Sequence, residues 1–527
     1  MRDLVISMLA EHITENVPIA VSIPDIDTHG HFSTNVAFRL SKLRGASPLL
    51  IAEELAQAMQ ASPLFSRVEV AGNGFVNMWL SSEALIQELK TIIKQKKKYG
   101  TKTKSKKEQK HIQIEFISAN PTGPLTLANG RGGFLGDVLA NILIAAGHTV
   151  EREYYVNDTG NQVRTLGASL LATQGIIPEE EKFYKGSYIK EWAESHQSLV
   201  KKYRNNPEKL GAEAAKYFLK SISSVIKKKA HIHFDRYTSE KRDIHDKKYT
   251  EKALALFKEK SLTYEEGGAM WLKTTTFNDD KDRVLITKEG LPTYFLADAG
   301  HYLETVKRGF ASKIIILGPD HYGYVSRLQA AASIVGLPDS KVIITQAVRL
   351  MRGGVEAKMS KRKGEFVTFE ELVDEVGADA ARFFFVMISP DTHMDFDLDL
   401  AKEHSLKNPV YYVQYAYVRA ESILKKVKAK RGIVNFSLLN SKEDIYLMKL
   451  LGDFPDVVGD VALQLSAHHL AKYALDIAKA FHALYERERV EGVDASLAQA
   501  RRALVEATTI VLSNTLRMLG VSAPKKM

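Results

Sequence analysis

The chain has no cysteine. That absence removes disulfides, thiolate zinc sites and cysteine nucleophiles together. It also lacks any apolar run approaching the ~18 residues of a membrane-spanning helix, so no span is expected. The N-terminal stretch MRDLVISMLAEHITENV carries Asp3, Glu11 and Glu15 among its apolar residues, and it reads as an amphipathic helix rather than a signal peptide. No G-x-x-x-x-G-K-[ST] string occurs, which argues against a P-loop. The dinucleotide fingerprint G-x-G-x-x-G is incomplete, because Gly130-Arg131-Gly132 is followed by Leu135 where the third glycine belongs.

What is present is a soluble, basic, multidomain composition. Hydrophobic residues make up 45% and charged residues 26%, the proportions of a globular protein. A length of 527 residues accommodates roughly three or four domains. The formal charge of +10 and pI near 9.2 favour a polyanionic partner.

The stretch 111–137, HIQIEFISANPTGPLTLANGRGGFLGD, organises the rest. Ile112, Ile114 and Phe116 alternate with Gln113 and Glu115, the period of a strand. Asn120-Pro121-Thr122-Gly123-Pro124 ends that strand and turns the chain. The glycines Gly130, Gly132 and Gly133 then lead into an apolar helix expected from Phe134 to Ala146 and stopped by Gly147. Strand, turn, glycines and helix N-terminus make a nucleotide site, in which free N–H groups and the helix dipole attract phosphate.

The remaining chain divides by composition. Residues 1–93 read as a small α/β domain, with a helix from Pro48 to Met59 and a strand–turn–strand over 68–80. Residues 94–110 hold nine Lys against one Glu, so a mobile, extended linker is expected. Val150 to Val156 alternates like the second strand of a βαβ unit. Residues 160–285 are charged and mostly helical in pattern, interrupting a nucleotide fold that resumes over 286–390 with the apolar strands KIIIL (313–317) and KVIIT (341–345). Residues 391–527 read as helical throughout. His231 and His233 have no third ligand in sight and read as structural, so no metal-ligating residue is expected.

Two motifs carry a family resemblance. Ser118-Ala119-Asn120-Pro121-Thr122-Gly123-Pro124-Leu125, continued by Gly130-Arg131-Gly132, resembles the first signature of class I aminoacyl-tRNA synthetases in its arginyl form, roughly SANPTGPLHxGHxRG. Its His-x-Gly-His core is replaced here by Thr126-Leu127-Ala128-Asn129. The second signature, Lys358-Met359-Ser360-Lys361, is intact about 230 residues later. The string VNDTGNQ (156–162), the segment Gly74-Phe75-Val76-Asn77 and the helices around PVYYVQYA (409–416) also resemble arginyl-tRNA synthetases.

The resemblance implies a class I Rossmann-like parallel-sheet catalytic domain over 111–390, with a connective insertion at about 160–285. A tRNA-binding N-terminal α/β domain would precede it and an all-α anticodon-binding bundle over 391–527 would follow. The implied activity is ATP-dependent activation of L-arginine and its transfer to tRNA(Arg). ATP and Mg²⁺ would be cofactors, and the chain a cytoplasmic monomer. Activation needs donors at the α-phosphate and cations at the leaving pyrophosphate. The Thr126 hydroxyl and Asn129 amide would replace the two histidines, and Lys358 and Lys361 would meet the pyrophosphate. Ala128, Gly130, Gly132, Asp320, His321, Met359 and Ser360 would line the remaining ATP site. By the same carry-over, Tyr294 and Asp298, four apart on a helix, read arginine's side chain, while Glu115 and Asn120 meet its α-amino and carboxylate end. The alternative is a catalytically degenerate tRNA-binding paralogue, motivated by the altered first signature.

Overall fold

The computed structural model describes residues 1–24, 27–357, 367–429 and 433–527. Its centre is a five-stranded parallel sheet. In chain order the central elements are β1 (His111–Glu115), helix α1 (Leu127–Ala145), β2 (Thr149–Val156), β3 (Arg236–Ser239), helix α2 (Tyr294–Lys307), β4 (Ser312–Leu317), β5 (Lys341–Ile344) and, near the C-terminus, helix α3 (Ala495–Leu519). In space the strands run β5-β4-β1-β2-β3. The order reverses between β4 and β1, and the crevice outside their carboxyl ends is where a doubly wound sheet binds ligands.

β1 is buried on both faces, as a central parallel strand must be. Phe116 packs under α1, while Gln113 accepts a hydrogen bond from Thr305 of α2 at 2.9 Å. Its polar face is therefore a buried polar layer.

The α1 helix starts seven residues before the expected Phe134. Thr126 is its N-cap, and Thr126 and Asn129 satisfy each other's backbone N–H groups in a capping box. The glycines consequently lie inside the helix. They allow it to approach the sheet: a Cβ on Gly133 would come 2.8 Å from Ile117, and one on Gly136 would come 2.3 Å from Phe116.

Three further expectations change. The Lys-rich segment is docked. Tyr99 is 2% exposed and donates to Glu88 at 2.6 Å, and Gly100 lies against Phe454. Asn514 of α3 donates to the carbonyls of Lys96 and Tyr99 at 2.9 and 3.1 Å. One buried aromatic and two backbone acceptors, with Lys102 paired to Asp3 and Lys110 to Asp339, outweigh the repulsion among the lysines. The stretch 160–285 also supplies sheet, because β3 pairs with β2 and closes that edge. It further holds an antiparallel three-stranded sheet built from Thr263–Glu266, Ala269–Leu272 and Arg283–Ile286. Finally, 391–527 is not wholly helical. Met394–Asp397 is a strand pairing in parallel with Val348–Arg352, and the helical bundle begins at Pro409.

The bundle and the nucleotide fold share one core. Arg382 is 2% exposed and donates to Asp137 of α1 at 2.6 Å, and Asn141 of α1 donates to the Met518 carbonyl at 3.1 Å.

Candidate active site

The crevice between β1 and β4 begins with backbone strain. Ile117 and Ser118, directly after β1, have φ of 65° and 37°. A β-branched residue there costs of order 1–3 kcal/mol and persists only where its surroundings enforce it. The Ser118 hydroxyl donates to Glu115 Oε1 at 3.1 Å and accepts from the Tyr155 N–H at 3.0 Å. The Ala119 carbonyl accepts from the Tyr154 hydroxyl at 2.8 Å. This kink delivers Asn120, exposed, to the mouth of the crevice.

The α1 N-terminus begins at Thr126. The Thr126 hydroxyl donates to Asn129 Oδ1 at 2.8 Å, and the Thr126 N–H reaches the same oxygen at 2.9 Å. The expected pair of free donors is thus reduced to one, because the Thr126 proton is committed to Asn129. Among the described residues, the Asn129 amide NH₂ makes no hydrogen bond, the O/N assignment following from this network. The Gly130 N–H bonds the Thr126 carbonyl, leaving Leu127 and Ala128 as the N–H groups open to a ligand. A Cβ on Gly130 would come 2.2 Å from the Phe369 ring, and one on Gly132 would come 3.5 Å from Ile316. Both glycines are buried. Asp320 and His321 are exposed on the 3₁₀ turn Pro319–Tyr324 that follows β4, 3.6 Å apart. Lys358, Met359, Ser360 and Lys361 lie outside the described residues; C-terminal to them, Thr368 bridges to Thr126.

The opposite wall is acidic. Asp298 on α2, Glu115 on β1 and Glu240 after β3 converge, with Tyr294 at the rim 63% exposed. Burial, then the negative charges of Glu115 and Glu240, push the Asp298 carboxyl up to about 7, with Lys313 and Arg327 pulling the other way. Asp298 is surrounded by protein yet keeps some contact with solvent. Burial also raises Glu240, which bonds the Tyr155 hydroxyl and sits 3.2 Å from His245 Nε2. Asn157, in the amide orientation that satisfies both its ends, donates to Glu240 at 3.2 Å.

Behind Glu115 lies a second layer that sequence reasoning misses. Lys313 of β4 is fully buried. Its ammonium touches Glu115 at 3.0 Å, Glu153 at 3.3 Å and His301 Nε2 at 2.9 Å. Glu115, Glu153 and His301 are also the one trio of potential ligand side chains that converges among the described residues, and the ammonium already sits against all three. His231 and His233 acquire no third partner among the described residues; His233 is exposed beside Asp235 at 3.7 Å. Glu240 and Lys313 leave faint signals in the sequence: an acid ending FDRYTSE, and a lone lysine opening an apolar strand.

Three family models match the chain in succession: arginyl tRNA synthetase N terminal domain over 1–80, tRNA synthetases class I (R) catalytic domain over 88–386, and DALR anticodon binding domain over 413–527. A curated arginine–tRNA ligase of Syntrophotalea carbinolica is 40% identical across 97% of this chain and 95% of its own length. The chain belongs to the arginyl-tRNA synthetase family. A second relative, the arginine–tRNA ligase of Thermotoga maritima, is 38% identical and covers 100% of this chain and 99% of its own. The solved arginyl-tRNA synthetase of Thermus thermophilus shares the fold, with a TM-score of 0.81 at 22% identity over the full length of both chains. The class I sheet of this family member is β5-β4-β1-β2-β3, and its acid-walled crevice lies at the reversal point. Among the described residues, no helix is long and apolar enough to cross a membrane.

Proposed function

We propose that the chain is an arginine–tRNA ligase that activates L-arginine with ATP and transfers it to the 3′ end of tRNA(Arg), releasing AMP and pyrophosphate. The observation that carries this reading is the convergence of Glu115, Glu240 and Asp298 on one pocket beside a helix N-terminus. Arginine brings two cationic groups to that pocket, and a buried carboxylate left unpaired by a neutral isostere would reject it strongly. Asp298 and Glu240, with Tyr294 at the rim, would hold the guanidinium. Glu115 and Asn120 would hold the α-amino and carboxylate end.

In activation an arginine carboxylate oxygen attacks the α-phosphorus as its bond to pyrophosphate breaks, and the terminal ribose of the tRNA then attacks the adenylate. The enzyme needs no nucleophile of its own. The Asn129 amide and the Leu127 and Ala128 N–H groups would donate to the α-phosphate oxygens. Lys358 and Lys361 would neutralise the departing pyrophosphate, with Met359 and Ser360 between them in the sequence. A bound Mg²⁺ ion would supply positive charge that offsets the ATP phosphates. Asp320, whose carboxylate is exposed at the mouth, has the oxygen-ligand chemistry that suits it. The reading includes a monomer acting in the cytoplasm, a compartment that the cysteine-free composition fits.

The commitment of the Thr126 proton favours, as the second reading, a tRNA-binding paralogue without catalysis. Charging of total tRNA with ATP, Mg²⁺ and each radiolabelled amino acid in turn decides between them. The expected result is attachment of arginine alone. Attachment of a different amino acid overturns the roles of Asp298 and Tyr294, and tRNA binding without any charging establishes the paralogue.

A further inference from the structure

We propose that Lys313 is the positioning residue of the amino-acid pocket: its buried ammonium, wedged between Glu115, Glu153 and His301, fixes the Glu115 carboxylate and keeps the deeper Glu153 from competing with it. The inference rests on the arginine reading above. Glu153 is fully buried, beyond reach of any ligand, yet its carboxylate lies within 4.8 Å of the Glu115 carboxylate. Two carboxylates that close repel, and without a cation between them they share a proton.

The Lys313 ammonium donates to Glu153 and to His301 Nε2 and forms an ion pair with Glu115 Oε2 at 3.0 Å. Its position is over-determined. The ammonium lies 5.6 Å from the Tyr302 ring centroid, and the acceptor His301 is stacked on Tyr155 at 4.3 Å. Glu153 is held from its other side by the Thr238 hydroxyl. With Lys313 anchoring one Glu115 oxygen and Ser118 the other, the carboxylate has one orientation to offer.

The charged and titratable groups around this layer come from several elements, among them Glu304 of α2, 3.6 Å from Arg308, and His245 and Asp158 beside Glu240. β1 contributes Glu115, β2 contributes Glu153 and the Tyr155 hydroxyl, and the turn after β3 contributes Glu240. Helix α2 contributes Asp298, His301, Tyr302 and, at its end, Arg308, whose guanidinium is taken up by Glu151 and also lies 3.8 Å from Glu153. Arg327 comes from the helix Val325–Val335. Acids dominate, and among the described residues Lys313 is the one cation fully buried with them, so its removal shifts the whole pocket toward protonation.

The test is arginine charging by Lys313→Met, and by Lys313→Met combined with Glu153→Gln, over pH 6 to 9 at saturating tRNA and ATP. In the parent, kcat/KM for arginine falls on the acid side of Asp298's titration, near pH 7. In Lys313→Met this limb moves up by about one pH unit, a factor of ten in the ratio of protonated to ionised carboxyl. KM for arginine accordingly rises about tenfold at pH 6 and about threefold at pH 7.5, kcat changes far less, and activity recovers toward pH 9. The double variant removes one charge of each sign and brings limb and KM back near the parent values. Filter binding of tRNA confirms that each variant is folded. A loss in Lys313→Met that is equal at every pH, or a double variant still weakened about tenfold across the range, overturns the proposal. If the single variant does not fold, the double variant alone decides the question by the same criterion. The arginine reading fails separately, if the parent itself charges a different amino acid or none.

Discussion

Asp298 strains the unliganded protein, and the strain is measurable. The perturbation is Asp298→Asn, which keeps the shape and removes the charge. Burial and the charges of Glu115 and Glu240 raise the carboxyl from 3.8 to about 7. A rise of about three units is worth about 4 kcal/mol. In the unfolded chain the carboxyl loses its proton near pH 4, whereas the folded chain holds that proton until about 7. The protonated form's contribution to stability is therefore fully present below pH 4, drains away as pH rises, and is gone above 7. The asparagine side chain of the variant cannot ionise and retains it throughout. Some solvent contact in the pocket trims the figure, giving a variant about 2–4 kcal/mol more stable than the parent at pH 8 and nearly equal to it at pH 4. Urea unfolding without arginine, ATP or tRNA measures this, following the transition that carries the central sheet, since a multidomain chain need not unfold in one step. Charging by the same variant falls by about 100-fold or more in kcat/KM for arginine, because Glu240 and Tyr294 cannot supply the missing charge. A variant less stable than its parent at pH 8, or equally stabilised at both pH values, would falsify the account of Asp298.

Asn129→Ala removes the free amide and half of the capping box. It lowers helix stability by about 1 kcal/mol and slows tRNA-supported ATP–pyrophosphate exchange by about 10²-fold, with KM for arginine little changed; unaltered exchange would remove Asn129 from the phosphate site. Gly130→Ala places a Cβ 2.2 Å from the Phe369 ring; chemical denaturation should show a loss of about 1–3 kcal/mol, and a neutral result would mean the two elements part without strain. Tyr99→Ala leaves a cavity and orphans Glu88 at the seam of three domains; a loss of about 3–5 kcal/mol, together with rapid tryptic cleavage within 94–110, is expected, and a segment that stays resistant refutes its role as the fastening.

Legibility follows how local each determinant is. Strand periodicity locates β1, β2, β4 and β5 within a residue or two, because an apolar alternation depends only on neighbours. The start of α1 escapes it although Thr126 and Asn129 are both in view: the glycines look like a loop, and only Phe116, Ile117 and Phe369, distant in sequence or across the turn, explain why a helix should contain them. The Lys-rich segment misleads for the same reason, since Asn514, more than four hundred residues away, supplies the donor that pins it. In the site, the acids on helix and strand come from carrying over motifs, and Glu240 draws no role from the sequence because nothing local tells a pocket acid from a surface one. Lys313 is the sharpest case. A lysine opening KIIIL reads as a strand end at the solvent boundary, yet β4 enters the sheet already beside two buried carboxylates of β1 and β2. The charge pattern becomes intelligible only when three strands are laid side by side: a central parallel sheet that buries Glu115 and Glu153 next to one another must also carry its own cation.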